Sequence, residues 1–381
     1  MKLSKRIENC AMSETIKLDD LAKSMQVQGK KVINLATGQP NFDTHQEIKS
    51  AIISAVKSGN NKYSAPSGLS LLKKAIISEI KTDYQLQYKT NEIIVTNGAK
   101  QALYNLFQIL LNPGDEVIIT LPAWVSYGEQ IKLAGGTPVY VQCRPDWQLD
   151  VQAIAKNITK KTRAIILNSP NNPTGQVYNK KDIYDLNKII KNKNIFVISD
   201  DPYRYILFSK EFYSFAQVNK TKTIIVDSVS KSHALAGWRV GWMAADKEII
   251  SAMVNLQSQC SGNVCNLAQI ATIRALNLDK KKFNPWLDEY KERKDYLVEE
   301  LNKIKNISFI EPQGAFYFFI NISKIEKNSV KFCEQLLKQE KLVLVPGKAF
   351  GLDGYIRLSF AFPLGDLKLA VKKLNKFIKN Y

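Results

Sequence analysis

EIIVTNGAKQALYNLFQILLNPGDEVIIT, residues 92–120, is the stretch on which the fold turns. EIIVTN (92–97) has the short apolar, β-branched character of a strand, and AKQALYNLFQILLN (99–112) repeats its apolar residues at helical spacing. DEVIIT (115–120) is a second strand. A strand, a crossover helix and a second strand imply parallel strands of one sheet, because a helix must carry the chain back before the next strand can start. The same alternation continues outward through TPVYVQ (137–142), RAIILN (163–168), IFVISD (195–200), TIIVDS (223–228) and RVGWMAA (239–245), with helical patterns between most of them, such as KKDIYDLNKIIKN (180–192). The pattern predicts an α/β fold with a mostly parallel mixed sheet covered by helices on both faces.

The pattern changes near residue 285. EYKERKDYLVEELNKI (289–304) is a long amphipathic helix, and SFIEP, AFYFFINI, LVLVP and YIRLSFAF follow as strands, with helical segments at 329–340 and 366–379. We therefore expect a large domain over 36–284 and a smaller α+β domain over 285–381. Residues 1–35 are expected to pack as an arm on the smaller one, since the chain enters the large domain only after INLATGQP.

With 381 residues, 45% hydrophobic and 23% charged, a buried core is expected rather than disorder. The opening MKLSKRIENC lacks the apolar run of a signal peptide, and no stretch reaches the roughly 18 apolar residues of a membrane helix. Five cysteines without a CxxC pair point to reduced thiols in the cytoplasm, and two distant histidines argue against a metal centre. The formal charge of +19 comes from lysines spread along the whole chain. A nucleic-acid partner would instead call for clustered cations with stacking aromatics, so the surplus reads as a solvated surface whose field favours anionic ligands.

Four polar motifs each follow an apolar strand: Asn97-Gly98-Ala99-Lys100, SPNNPTG (169–175), Asp200-Asp201-Pro202-Tyr203 and Ser228-Val229-Ser230-Lys231. Ligands of an open α/β sheet bind beyond the carboxyl ends of its strands, so these loops share one crevice. A glycine turn entering a helix suits a phosphate, although it is also an ordinary strand–helix turn. Asp200 could be a helix cap or a buried anion that keeps a heterocyclic nitrogen protonated. Lys231 could reach solvent, or be an amine deprotonated by burial and nearby cations, with Arg239 eight residues on as one such cation and as a phosphate clamp. Arg357, within the apolar YIRLSFA, needs an anion: an internal salt bridge, or a substrate carboxylate.

Taken in order, SPNNPTG, SDDPY, SVSKSHALAGWRVG and YIRLSFA resemble the fold type I pyridoxal 5′-phosphate aminotransferases of the aspartate aminotransferase superfamily, and the similarity runs from LSKRIENC through INLATGQPNFDT and KYSAPSG to VPGKAFG. The resemblance implies that Lys231 holds the cofactor as a Schiff base and then shuttles the substrate proton. It implies that Asp200 pairs with the ring nitrogen, that Tyr203 and Asn172 bond the ring oxygen, and that Trp124 stacks on the ring. Gly98, Ala99, Lys100, Ser228, Ser230 and Arg239 would surround the phosphate. Tyr63 would reach the phosphate of the neighbouring subunit of a homodimer. Arg357, with Gly38 and Asn172, would hold the substrate α-carboxylate.

Within that family the chain resembles the bacterial subgroup that uses aspartate and, in some members, prephenate. Lys100 matches a lysine that recognises a distal carboxylate, and Ser13 and Thr15 match an N-terminal lid over the same end. These matches imply aspartate or glutamate with 2-oxoglutarate or oxaloacetate. Aromatic, alanine-type and prephenate transamination, or a pyridoxal-phosphate lyase acting at Cβ, are the alternatives. The departures are Pro202 and Arg204 in SDDPYRYIL, Trp242 where relatives have tyrosine, and His45 where relatives have proline.

Overall fold

The computed structural model of the chain describes residues 4–8, 14–208 and 211–381. Strand β1 (Ile33–Asn34) lies outside the main sheet. Seven strands follow: β2 (Ile93–Thr96), β3 (Glu116–Leu121), β4 (Thr137–Gln142), β5 (Thr162–Asn168), β6 (Phe196–Asp200), β7 (Thr223–Ser228) and β8 (Gly241–Ala244). They form one sheet in the order β2-β8-β7-β6-β5-β3-β4. Only β8 runs antiparallel, to β2 on one side and β7 on the other. The remaining six are mutually parallel, as the strand–helix alternation requires.

Helices cover both faces, so successive strand residues feed different cores. Ile94 packs into one cluster with Leu103, Leu106 and Phe107 of the helix Ala99–Leu110. Ile93 and Val95 point the other way, into a cluster with Leu72 and Ile76 of the helix Ser70–Tyr84. Two-sided burial explains why these strands read as continuous apolar runs rather than alternating ones. Burying one such side chain contributes roughly 1.5–3 kcal/mol.

The second sheet is built from β9 (Ser308–Phe309), β10 (Tyr317–Asn321), β12 (Val345–Pro346) and β13 (Tyr355–Ser359), in the order β12-β13-β10-β9, while β11 (Leu342–Val343) pairs in parallel with β1. The helices Asn284–Asn302, Ser329–Glu340 and Leu364–Asn380 pack against this sheet, and Ala22, Leu35 and Ala36 from the early chain share its core. Of the departures, His45 caps the helix Gln46–Lys57, its Nδ1 accepting from the Glu47 backbone N–H at 3.3 Å. Trp242 is buried in the core beside the helix Ser70–Tyr84.

No helix among the described residues is long and apolar enough to cross a membrane, and no group of three or more His, Cys, Asp or Glu among them is placed to hold a metal ion.

Candidate active site

Strands β2, β5, β6 and β7 all point their carboxyl ends at the same edge, so the loops behind them converge. They line a cavity of about 430 Å³, roofed by Tyr317 and Arg357 of the second sheet and by Phe350 of the turn Gly347–Phe350. Of the residues singled out from sequence, Gly38, Ala99, Lys100, Trp124, Asn172, Asp200, Tyr203, Ser228, Ser230, Lys231, Arg239 and Arg357 line it together.

Asp200 ends β6, only 4% exposed. Its Oδ2 accepts from the Tyr127 hydroxyl, whereas Oδ1 is buried without a hydrogen-bond partner. Desolvation pushes its carboxyl up to about 6, against the Tyr127 bond and the attraction of Lys231. An orphaned carboxylate oxygen costs free energy until a donor reaches it. A protonated heterocyclic nitrogen is such a donor.

Lys231 sits on the single-turn helix Val229–Ser232 that β7 runs into, with Ser228 as its N-cap. Its Nζ donates to the Gly38 carbonyl. Desolvation first, then the charges of Arg357 and Arg239, pull the amine down to about 8. About a tenth of the amine is therefore neutral and nucleophilic at pH 7, far more than for an ordinary lysine.

Arg357 lies on β13 and is 4% exposed. Its Nη1 donates to Asn172 Oδ1 at 3.0 Å and its Nη2 to the Ala36 carbonyl, while Nε has no partner. Among the described residues no carboxylate forms a salt bridge with it, so the internal-ion-pair reading of this arginine falls away. A buried guanidinium without an anion invites one from the ligand.

At the opposite end of the cavity, Gly98 caps the helix Ala99–Leu110 at φ 80°, a left-handed conformation that disfavours side chains. A Cβ there would also meet Arg239 Nη2 at 2.6 Å. The helix N-terminus and the guanidinium thus lie against each other and both favour an anion. Lys100, one residue into the helix, holds its ammonium 5.0 Å from the Trp124 ring centre.

Of the other predicted residues, Tyr63 is not in this assembly. Tyr63 is 99% exposed, away from the cavity of its own chain. Thr15 falls in the helix Glu14–Val27, and Ser13 lies outside the described residues.

A family model for aminotransferase class I and II matches residues 30–374. The chain belongs to this aminotransferase family. It is 39% identical over 388 residues to an aspartate aminotransferase of Bacillus sp. (strain YM-2), with 99% of each sequence covered. It is 38% identical over 391 residues to a probable aspartate/prephenate aminotransferase of Rickettsia typhi, with 98% of each covered. Its fold matches that of an aspartate aminotransferase from Thermus thermophilus with maleate at a TM-score of 0.96 and 34% identity, covering 99% of this chain and 100% of that one.

Three groups of this aminotransferase site escaped the motif reading. Tyr127 donates to Asp200, Asn168 Nδ2 donates to the Asp200 carbonyl at 2.8 Å, and the Tyr317 hydroxyl lies 2.9 Å from that of Tyr203. Tyr317 had a signal. Phe319 pairs with Arg357 across the β10–β13 ladder, and strand alternation puts Tyr317 on the same face as Phe319, toward the arginine. The Arg357 guanidinium stacks 4.5 Å from its ring centre. Gly38 is required beside it, since a Cβ would clash with the Tyr317 hydroxyl. Tyr127 carried no signal, because the helix Ser126–Leu133 aims it at β6 only once folded.

Proposed function

We propose that this aminotransferase transfers the amino group between L-aspartate or L-glutamate and a 2-oxo acid, 2-oxoglutarate or oxaloacetate, using pyridoxal 5′-phosphate held by Lys231. The carrying observation is a lowered-pKa lysine, a buried carboxylate with an unpartnered Oδ1 and an arginine without a counter-anion in one cavity. Each lacks what the cofactor or a substrate carboxylate would bring. When bound, the cofactor supplies an aldehyde carbon that joins amines covalently and a ring that takes up the electron pair released at the substrate Cα.

The protein's own groups do the rest. Asp200 Oδ1 would accept a hydrogen bond from the protonated ring nitrogen and so keep that proton on the nitrogen. Asn172 and Tyr203 would hydrogen-bond the ring oxygen, and Trp124 would cover a ring face. The amides of Gly98, Ala99 and Lys100, the hydroxyls of Ser228 and Ser230, and Arg239 would hold the phosphate. Arg357, with Gly38 and Asn172, clamps the α-carboxylate and so orients the Cα–H toward Lys231 Nζ, the base that takes and returns that proton. Residues 36–284 would form the cofactor domain and 285–381 the small domain, with 1–35 packed on it. This division is supported by the pairing of β1 with β11.

Working as a homodimer in the cytoplasm is part of the proposal, with Tyr63 given to the neighbouring site. Its support is an exposed aromatic on an anchored loop. Gln257 Nε2 donates to the Pro66 carbonyl at 2.6 Å, and Gln269 Oε1 accepts from Leu69 N at 2.7 Å.

For the distal carboxylate we assign Lys100, aided by Ser13 and Thr15 of the N-terminal arm. The Thermus neighbour is named with maleate, itself a dicarboxylate. Lys100→Ala should lower kcat/KM for aspartate by roughly 10- to 100-fold, the value of one hydrogen bond to a charged group, and leave a monocarboxylic donor within a few-fold. An equal loss on both would remove the dicarboxylate assignment. The whole reading is tested by an amino-donor panel that follows the cofactor's absorption in the half-reaction. Formation of the matching 2-oxo acid is expected, whereas pyruvate with ammonia would mark a Cβ lyase.

The Lys231 amine also makes a pH prediction. With a pKa of about 8, its neutral fraction is about a tenth at pH 7 and about nine tenths at pH 9. Covalent uptake of pyridoxal phosphate by cofactor-free protein should therefore rise roughly tenfold over that range and then level off. A rate still climbing steeply above pH 10 would mean an ordinary lysine.

A further inference from the structure

Directly behind the turn that carries Tyr203, Arg204 is 5% exposed and meets three carboxylates. Its Nε donates to Asp227 Oδ2 at 2.7 Å, its Nη2 to Glu79 Oε1 at 2.7 Å, and its Nη1 to Asp83. Those partners come from different parts of the chain. Glu79 and Asp83 belong to the helix Ser70–Tyr84, whereas Asp227 is the penultimate residue of β7. Asp227 Oδ1 in turn accepts from the Ser228 backbone N–H at 2.6 Å. None of the four lines the cavity. The Tyr205 ring packs on the guanidinium with its centre 4.0 Å away, and the Tyr205 hydroxyl donates to Glu79 and Asp83, so the fork cannot swing.

Such a cluster does not obviously stabilise the fold, since a buried ion group often contributes no more than an apolar replacement would. Its geometry suits a different task. Arg204 lies four residues after Asp200 and one after Tyr203; Asp227 lies one before Ser228 and four before Lys231. We propose that Arg204 is a positioning residue: its fork ties the turn that follows Asp200 at the end of β6 and bears Tyr203 to the β7 end bearing Ser228 and Lys231, setting the spacing of the groups that hold the cofactor. This rests on the function proposed above. A lysine keeps the charge, but its three donors sit on one nitrogen at the end of a flexible stem, so it cannot replace a rigid fork that reaches three carboxylates from three separate nitrogens.

The test compares Arg204→Lys with the unsubstituted enzyme. Three readouts are used: pyridoxal phosphate affinity of the cofactor-free protein by tryptophan fluorescence quenching, the pH midpoint of the bound cofactor's absorption, and kcat against KM. We expect weaker cofactor binding, a displaced midpoint and a fall in kcat of roughly tenfold to a hundredfold, the scale of a misplacement near 1 Å. KM for the amino donor should stay within a few-fold, because Arg357 and Lys100 are untouched. Asp227→Asn should behave alike, and the double variant should be no worse than the poorer single one. Should Arg204→Lys not fold, Asp227→Asn alone carries the expectation. Glu79→Gln keeps the Asp227 contact and should lower melting temperature with affinity and midpoint unchanged. Wild-type affinity, midpoint and kcat in folded Arg204→Lys, or equal changes in Glu79→Gln, would overturn the proposal. Borohydride trapping of the adduct in the unsubstituted enzyme tests the underlying function separately, so a trapped adduct with an unaffected Arg204→Lys sinks only the strap.

Discussion

Lys231→Ala is expected to reduce transamination by at least about 10⁴-fold, the upper range for loss of a positioned general base, because covalent attachment is lost with it. The cavity offers no substitute. Lys100, the other lysine lining it, stands at the phosphate end with its ammonium over Trp124. The guanidinium groups of Arg357 and Arg239 offer donors only and no acceptor for the substrate proton. The variant should still bind pyridoxal phosphate non-covalently, since the phosphate groups and Asp200 are intact. Mass spectrometry after borohydride reduction should then find no added cofactor mass on the Lys231-containing peptide, whereas the unsubstituted enzyme should carry it. A variant that turns over at the native rate would remove Lys231 from the mechanism.

The second large effect belongs to Asp200→Asn. The substitution preserves shape and can still accept from Tyr127, but it removes the negative charge that faces the ring nitrogen. Nothing else nearby supplies that charge. Asp201, the adjacent carboxyl, is pushed up to about 8 by burial and by neighbouring carboxylates, and its oxygens are engaged by Ser199 and Tyr84. We expect kcat to fall by roughly 10²–10³-fold, as when a preorganised electrostatic partner is deleted from an active site. KM for the amino donor should change little, since Asp200 does not approach Arg357's side of the substrate. Steady-state kinetics separates the two. A KM effect with kcat preserved would mean that Asp200 acts on substrate binding rather than on the ring.

The Asp200 carboxyl near 6 bears on this experiment. Without a cation at Oδ1 the group is about nine-tenths ionised at pH 7 but only half ionised near pH 6, and a bound pyridinium would pull its pKa down. Cofactor affinity should therefore weaken as pH falls through 6 in the unsubstituted protein, and lose that dependence in Asp200→Asn.

Local pattern reaches far in a protein of this type. TPVYVQ and TIIVDS are strands over 137–142 and 223–228 in the structure as in the sequence reading, and KKDIYDLNKII is the helix 180–190. Apolar runs bounded by turn residues, separated by helical periods, leave a parallel sheet as the main way to bury both faces. Once the sheet is parallel, the loops after EIIVT, RAIILN, IFVISD and TIIVDS must share an edge, and that places Gly98, Asn172, Asp200 and Lys231 together without any knowledge of the tertiary packing. The antiparallel course of β8 was not legible, because RVGWMAA is equally apolar in either direction. Lys231 as part of a helical turn, rather than of a plain loop, was likewise set by its surroundings.

What sequence by itself determined is therefore the largely parallel sheet, apart from the course of β8, and the chemistry gathered at its edge, because each follows from periodicities that span only a few residues. Tertiary structure alone decided the partners. Among the described residues Arg357 met Asn172 rather than a carboxylate, Tyr127 turned toward Asp200, and Arg204 found Asp227, Glu79 and Asp83. Such pairings join residues between 23 and 185 positions apart. A contact at that range depends on where whole elements come to rest, and a short pattern carries no record of that.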